Sequence, residues 1–167
     1  MKFLGLCVDE HDSSLAYTDG TQVTFRKAER VKQKKHFGYD SLSDWFVDAK
    51  EWPLENLDAI AIVVEKYRYP ELGEIDSSRL WERIVIHHPI FTQFDCPIYR
   101  IDHHYAHVLS CWTEDVKSTV DFVFDGFGDD FRSHSIFKDG KLVQTASLHE
   151  AESLGRLLGT FGEDIFE

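Results

Sequence analysis

Residues 3–26 read FLGLCVDEHDSSLAYTDGTQVTFR, and this stretch decides the fold that the sequence predicts. Three short segments in it are typical of β-strands: Phe3–Val8, Ser14–Thr18 and Thr21–Arg26. Between the last two, Asp19-Gly20 predicts a tight hairpin turn, because both residues tolerate a positive φ. The opening of the chain is therefore expected to run strand, acidic loop, strand, turn, strand.

A similar order recurs later in the chain. Val120–Phe124 is predicted to be a strand, an acidic loop follows it, and Asp139-Gly140 separates two further strands, Ser133–Phe137 and Lys141–Ala146. If the likeness reflects a duplication, the chain holds a first lobe over 1–118 and the opening of a second lobe over 119–167. Hairpin loops of this kind can hold phosphates with backbone N–H groups. Asp-Gly turns are common, so a chance likeness of two hairpins is the alternative.

The segments between the two copies alternate between helix and strand patterns. Amphipathic spacing predicts a helix over Ser41–Lys50, and a continuous apolar run predicts a central strand, covered on both faces, over Leu57–Val64. Ser78–Ile86 is predicted to be helical, Pro97–Ile101 to be a strand, and His103–Trp112 to be a helix. The sequence therefore predicts an α/β fold in which helices flank a mixed β-sheet.

Little of the chain follows the second copy. Ser153–Phe161 is predicted to begin a final helix. The first copy is followed by a much longer run of helices and strands. We therefore expect the second lobe to be incomplete, its remainder belonging to a longer chain or to a second polypeptide.

Composition narrows the class of protein. The chain has 167 residues, of which 43% are apolar, and this suits a packed globular core. Its net charge of −12 argues against duplex nucleic acid or an anionic membrane as a general partner. The longest apolar run, Ala59–Val64, is far too short to span a bilayer. The three cysteines, Cys7, Cys96 and Cys111, form no C-x-x-C pair, so we expect reduced core residues in a cytoplasmic protein.

The sequence HHYAH at residues 103–107 indicates a metal site. His103 and His107 are spaced i and i+4, so both imidazoles lie on one face of the predicted helix. Asp125 follows the next predicted strand and can supply a carboxylate to the same ion. Nitrogen and oxygen donors suit iron, zinc or manganese alike. His104 points elsewhere on the helix, where a supporting or surface role is expected, and an ordinary histidine pair is the simpler alternative for His103 and His107.

Other residues are candidates for binding phosphate. Arg30, Lys34 and Lys35 form a basic cluster that stands out in an acidic chain, although such clusters are often solvated surface. Gly126 and Gly128 flank a position where a side chain would obstruct a nucleotide, although they could equally be plain turn residues.

Taken in order, several motifs resemble one family, the carbamoyltransferases that modify nodulation factors and antibiotics. The resemblance is to their N-terminal part and rests on HDSS at 11–14, DG at 19–20, ER at 29–30, KKH at 34–36, HHYAH at 103–107, DGFGD at 125–129 and SLG at 153–155. That part of the family is similar to the universal tRNA threonylcarbamoyl transferase. Both have the actin-like, sugar-kinase-like ATPase fold (ribonuclease H-like), built from two duplicated lobes.

The resemblance implies a chemistry and a set of roles. It implies transfer of a carbamoyl group from carbamoyl adenylate, made from carbamoyl phosphate and ATP with magnesium, to an acceptor hydroxyl. It implies a metal at the transfer site, iron above all, held by His103, His107 and Asp125. His11 would act as a general base near the carbamoyl group or the acceptor, with Asp12 and Lys35 as further catalytic residues.

The remaining roles concern substrate binding. Arg30, Lys34, Gly126 and Gly128 would contact the phosphates. The acceptor could be a sugar, a nucleoside or another small molecule with a hydroxyl group. Two other functions are considered: a non-catalytic lobe that acts as a binding or regulatory module, and a tRNA threonylcarbamoyl transferase-like enzyme.

Overall fold

The chain divides into two compact units, Met1–Ile101 and Asp102–Glu167. The computed structural model describes residues 1–9, 11–64, 68–112, 116–125 and 128–147. The helix predicted over 153–161 lies outside the described residues. The predicted division into lobes 1–118 and 119–167 was placed where the second hairpin copy starts, and it stays a prediction.

The first unit is built on a six-stranded sheet in the order β3-β2-β1-β4-β6-β5. Its strands are β1 (Phe3–Cys7), β2 (Ser14–Thr18), β3 (Val23–Lys27), β4 (Ala59–Val63), β5 (Trp81–Ile84) and β6 (Ile98–Ile101). Strands β1, β4 and β6 run parallel, whereas β2, β3 and β5 pair antiparallel with their neighbours. The predicted α/β class with a mixed sheet is therefore confirmed.

The first three strands form the meander that residues 3–26 predict. Their register pairs Cys7 with Ser14 and Ser14 with Lys27. The connection from β2 to β3 is longer than a two-residue turn. In it Gly20 has φ 90°, and Asp19 Oδ1 accepts hydrogen bonds from the N–H groups of Thr21 (2.8 Å) and Gln22 (3.0 Å). This is an Asx-type closure, because the Asp side chain takes the place of a backbone acceptor.

The core of the first unit lies on one face of the sheet. Alternate strand residues point to it, namely Leu4, Leu6, Leu15, Ile60 and Ile62, which are at most 3% exposed. Three helices supply further core residues: α1 (Ala28–Lys32), α2 (Trp45–Ala49) and α3 (Pro89–Thr92). Trp45 is fully buried and its ring contacts Phe91 at a centroid distance of 5.7 Å.

The opposite face of the sheet carries exposed apolar side chains. Ala61 of β4 is exposed, as are Phe25 (61%) and Trp81 (57%). Strand β4 does occupy a central position between β1 and β6. The prediction that β4 is covered on both faces is therefore wrong, because only Ile60 and Ile62 on its inner face are fully buried.

Two predicted helices differ from the structure. The segment Ser78–Ile86 contains strand β5 instead of a helix. Trp81–Ile84 pairs antiparallel with β6 and forms the edge of the sheet. Its bulky and β-branched residues suit an edge strand, and tertiary pairing overrides the helical spacing. The helix predicted over Ser41–Lys50 is real but shorter, since turns precede α2 at Trp45.

A buried carboxylate links α1 to α2. Asp48 is 5% exposed, and its Oδ1 accepts a hydrogen bond from Lys32 Nζ at 2.8 Å. Its Oδ2 accepts a second hydrogen bond from the Tyr39 hydroxyl, also at 2.8 Å. Burial, together with the neighbouring Asp48, raises the pKa of Tyr39, so its hydroxyl stays a donor. These bonds satisfy a charge that would otherwise be costly to bury.

The described residues of the second unit form an α-helix, a short 3-10 helix (Asp129–Phe131) and a three-stranded antiparallel sheet in the order β7-β8-β9. Its elements are α4 (His103–Cys111), β7 (Val120–Phe124), β8 (Arg132–Lys138) and β9 (Lys141–Ser147). Asp139 and Gly140 join β8 to β9 with φ values of 49° and 73°, which makes a two-residue turn of the predicted kind. Both copies of the predicted motif are thus three-stranded meanders.

The structure also bears on the predictions made for apolar segments and for cysteines. Within the described part of the chain, each helix is too short or too polar to cross a membrane. All three cysteines are free. Burial raises the pKa of Cys7 to about 12. Cys111 is exposed, so the prediction that all three cysteines are core residues is wrong for this one.

Candidate metal centre

Two acidic side chains fix the first turn of α4. Asp102 precedes the helix, and its Oδ1 accepts a hydrogen bond from the Tyr105 N–H at 2.9 Å. The His103 N–H donates to Asp129 Oδ2 at 2.9 Å. Carboxylates at this end satisfy free N–H groups and also interact favourably with the helix dipole. The position of His103 is therefore set by bonds from both sides of the turn.

Asp125 lies directly after β7, at the end of the strand. Its backbone N–H donates to the Ser133 carbonyl of β8 at 3.3 Å, which continues the ladder between β7 and β8 by one residue. The strand end therefore fixes the backbone position of Asp125, and the same sheet carries β8, whose Ser135 is hydrogen-bonded to His104 of α4.

The predicted ligands converge. His103 Nε2 lies 2.6 Å from Asp125 Oδ2, and His107 Nε2 lies 3.2 Å from His103 Nε2 and 3.3 Å from Asp125 Oδ2. The side chains of His103 and Asp125 are 24% and 34% exposed, and that of His107 is 53% exposed. The three donor atoms thus form a compact triangle that is partly open to solvent.

The donor set fits a divalent first-row metal ion. Three ligands at roughly 2.1 Å from one ion stand roughly 3.0–3.4 Å apart, which two of the three separations already match. A proton can join only two of the donor atoms, whereas a cation can accept a lone pair from all three. Two imidazoles and one carboxylate leave further positions open for water or substrate. Nothing in the donor set distinguishes iron from zinc or manganese.

His104 takes the supporting role and is not a surface residue. It is 1% exposed, and its Nδ1 is hydrogen-bonded to Ser135 Oγ of β8 at 2.7 Å. Burial lowers the pKa of His104 to about 4, so the ring is neutral near pH 7. A Cβ at Gly128 would lie 2.6 Å from the ring carbon Cδ2 and 2.7 Å from Nε2. Glycine is therefore required at 128 for close packing against His104.

A buried ion pair anchors α4 to β8. Arg132 Nη1 donates to Asp102 Oδ2 at 2.8 Å, and the side chains are 10% and 0% exposed. Burial raises the pKa of Asp102, and the nearby Asp129 raises it further, whereas Tyr105 and Arg132 lower it. The ion pair therefore links Asp102, which precedes His103, to Arg132, the first residue of β8.

The predicted catalytic residues of the first unit lie in the loop between β1 and β2 and beside α1. His11 Nδ1 is 2.9 Å from Asp12 Oδ2, and His36 Nδ1 is 3.4 Å from the same oxygen. Lys27 Nζ lies 3.2 Å from Asp12 Oδ1 and 3.0 Å from Glu29 Oε1. We call His11, Asp12, Lys27, Glu29 and His36 the loop cluster.

Electrostatics in the loop cluster favour the charged forms. Burial alone would raise the pKa of Asp12, but hydrogen bonds from His11, Lys27 and His36 outweigh it and lower that pKa to about 2. Hydrogen bonds to Glu29 and Asp12 raise the pKa of Lys27, and the bond from Lys27 lowers that of Glu29. Lys27 is therefore positively charged and pairs with the two carboxylates of the loop cluster, Asp12 and Glu29.

The other predicted binding residues are less tightly held. Arg30, Lys34 and Lys35 are exposed, and Lys34 Nζ lies over the Phe37 ring at 5.7 Å from its centroid. Gly126 lies outside the described residues, whereas Gly128 packs against His104. Lys35 is predicted to be catalytic, but it takes part in none of the loop-cluster contacts described above.

Sequence reasoning assigned no role to Lys27 or Glu29 and used His36 only as part of a motif. A signal for Lys27 was available in the hairpin itself. Pairing of Thr18 with Val23 across the Asp-Gly turn carries the register back to Ser14 opposite Lys27, beside the loop that holds Asp12. His36 follows a left-handed turn after α1, where Gln33 and His36 have φ of 53°, and no periodic pattern encodes that.

Comparisons with protein-family models, with curated proteins and with solved structures found no match to this chain.

Proposed function

We propose that this chain is the metal-binding part of an O-carbamoyltransferase. It would transfer a carbamoyl group from carbamoyl adenylate, formed from carbamoyl phosphate and ATP, to the hydroxyl of a sugar, a nucleoside or another small molecule. The single observation that carries the proposal is the convergence of His103, His107 and Asp125. The motif order given above links this triangle to carbamoyl transfer rather than to other metal chemistry.

In this proposal the triangle holds a divalent ion, iron first and zinc or manganese as alternatives. When bound, such an ion polarises a carbonyl oxygen and stabilises the charge that develops on it. His103 and His107 supply neutral nitrogens, and Asp125 supplies one negative charge, so the bound group keeps a net positive charge. His104, neutral and wedged against Gly128, keeps the helix from rotating away from the strand end.

His11 is proposed as the general base for the acceptor hydroxyl. Its Nδ1 faces Asp12 Oδ2 at 2.9 Å, and a proton there leaves Nε2 as the acceptor nitrogen. The His11 side chain is 68% exposed, so a substrate can reach it. Because the pKa of Asp12 is low, its carboxylate is charged near pH 7 and stabilises an imidazolium during the reaction.

Phosphate binding is assigned to exposed cations and to the loop after β7. Arg30, Lys34 and Lys35 are exposed on and after α1, where their charges can meet the phosphates of an adenylate or of ATP with its magnesium. Lys35 keeps its proposed catalytic role through that charge. Gly126 would let the nucleotide approach the backbone. Gly128, predicted to do the same, instead has its open side filled by the His104 ring.

The strand order supports the actin-like assignment as part of the same proposal. A meander whose first strand pairs in parallel with β4, and then β6, is the arrangement expected of a ribonuclease H-like lobe. The second meander, β7-β8-β9, supports the opening of a duplicated lobe. The free cysteines suit the reducing cytoplasm that we propose as its location.

The first test measures metal and ligand binding together. Purified chain, His103→Ala, His107→Ala and the exposed-histidine control His87→Ala are analysed for bound iron, zinc and manganese. Each is then titrated with a sulfamate analogue of carbamoyl adenylate. The proposal expects one more bound metal ion per chain in the wild type and the control than in the other two variants, and metal-dependent analogue binding only in the wild type and the control. Equal metal content in all four proteins would overturn it.

The two alternatives predict different results in the same assay. A binding or regulatory module would take up metal or nucleotide but would not bind the carbamoyl analogue more tightly with metal than without. A tRNA threonylcarbamoyl transferase-like protein would prefer a threonylcarbamoyl adenylate analogue over the carbamoyl one. The acidic charge of the chain disfavours tRNA as its substrate.

A further inference from the structure

The loop cluster brings metal-ligating atoms together in the first unit. Asp12, Glu29 and His36 each offer one ligand atom, and these three atoms lie within 4.8 Å of one another. The residues come from three places, namely the loop after β1, the first turn of α1 and the segment after α1. A hydrogen bond joins two of them, because the His36 N–H donates to Glu29 Oε2 at 3.2 Å.

A cation already lies beside the two carboxylates of this group. Lys27 Nζ lies 3.2 Å from Asp12 Oδ1 and 3.0 Å from Glu29 Oε1, so one ammonium serves both carboxylates. The two carboxylates and the one ammonium together carry a net charge of −1. The Lys27 side chain is 29% exposed and sits on a flexible stem, so it can leave for solvent. The position between the two carboxylates is thus built for a positive charge that can be exchanged.

We propose that Asp12, Glu29 and His36 form a second divalent-metal site, and that the Lys27 ammonium is the cation that a metal ion displaces. Two carboxylate oxygens and one imidazole nitrogen suit zinc or manganese. His11 stays bonded to Asp12 and orients its carboxylate, as groups behind a metal ligand do. The site does not rest on the proposed carbamoyl transfer, because all its residues lie in the first unit and none belongs to the His103–His107–Asp125 triangle.

The experiment uses the full chain with the other triangle disabled. His103→Ala/His107→Ala serves as the background, and zinc is titrated by calorimetry in four proteins: the background alone, and the background with Asp12→Asn, with Lys27→Gln or with His87→Ala. We expect one zinc per background chain, at least tenfold weaker binding with Asp12→Asn, roughly tenfold tighter binding with Lys27→Gln, and no change with His87→Ala. Circular dichroism checks that each variant is folded.

A second measurement locates the ion. Manganese added to the background should broaden the backbone NMR signals of Asp12 and His36 and leave those of His87 sharp, because paramagnetic broadening falls steeply with distance. The proposal is overturned if the background binds no stoichiometric zinc, or if Lys27→Gln leaves the affinity unchanged or weaker. It is equally overturned if the broadening centres away from Asp12 and His36. Since the triangle is absent from every protein used, none of these results depends on whether it binds metal.

Discussion

The two clusters of this molecule use the same kinds of side chain in opposite ways. In the second unit, His103, His107 and Asp125 bring two nitrogens and one oxygen to a common point. In the first unit, Asp12, Glu29 and His36 bring two oxygens and one nitrogen, and Lys27 stands between the carboxylates. One cluster comes from a helix face and a strand end, and the other comes from the end of β3, the first turn of α1 and two loop segments.

The difference shows what holds each cluster together. The triangle rests on a buried frame, in which Arg132 pairs with Asp102 and His104 bonds to Ser135. The loop cluster is held mainly by its own mutual bonds on the surface, where ion pairs contribute little to folding. The triangle should therefore be sensitive to changes in packing, and the loop cluster to changes in charge.

The largest expected effect comes from removing the buried cation of the frame. Arg132→Met leaves the fully buried Asp102 without its partner, and breaking such a pair costs about 3–5 kcal/mol. Urea unfolding followed by circular dichroism measures the loss, with Arg83→Met, at an exposed arginine of β5, as the control. Equal stability of the two variants would remove the distinction drawn between the clusters.

The next effect separates the two sites by metal affinity. His103→Ala removes one of three ligands from the triangle and should weaken zinc binding there on the order of 100-fold, about 2.7 kcal/mol. Binding at the loop cluster should be unchanged, because it shares no ligand with the triangle. Calorimetry on Asp12→Asn, which leaves the triangle intact, supplies the matched comparison. A parallel loss at both sites after His103→Ala would contradict the assignment.

Two glycine substitutions test how tightly His104, beside the triangle, is packed. Gly128→Ala would place its Cβ 2.6 Å from the His104 ring, which should cost about 1–3 kcal/mol of stability and displace His104. Gly5→Ala in β1 is the control, since its Cβ would meet Ala16 at 3.7 Å, an ordinary contact. Thermal unfolding of both variants measures the difference. If Gly128→Ala is as stable as Gly5→Ala, the tight fit between residues 128 and 104 does not exist.

The smallest expected effect is a loss of stability at low pH through protonation of Asp12. Because the pKa of Asp12 is lowered to about 2 in the folded chain, its contribution to stability is fully present above pH 4 and is lost as pH falls toward 2. Carboxyl NMR titration should give a midpoint near 2 for Asp12 in the wild type. Lys27→Gln should move this midpoint upward, toward the ordinary value of an aspartate. A wild-type midpoint near 4 would mean that the loop-cluster bonds are absent in solution.

Local patterns in the sequence were sufficient to predict the meanders and the triangle. The Asp-Gly pairs predict both hairpins, because turn chemistry is local, and Gly140 adopts the expected left-handed φ of 73°. The i, i+4 spacing of His103 and His107 is likewise local, and a strand end fixed Asp125. Each of these predictions needed only neighbouring residues or one strand boundary.

The errors arise where distant parts of the chain decide the structure. Trp81–Ile84 has a spacing that suits a helix, but pairing with β6 makes it a strand. Burial of His104 depends on Ser135 and Gly128, neither of which is near it in sequence. The contact of Lys27 with Asp12 depends on strand register. No pattern within a short window contains this information.

The donor atoms of the triangle have a consequence for selectivity. Two of the three are imidazole nitrogens, and they lie 3.2 Å from each other. Calcium prefers six to eight oxygens at about 2.3–2.6 Å, a shell that this narrow, nitrogen-rich triangle is unable to provide. If the triangle binds a metal ion as proposed, we therefore expect calcium to bind there far more weakly than a transition metal, even when calcium greatly outnumbers it.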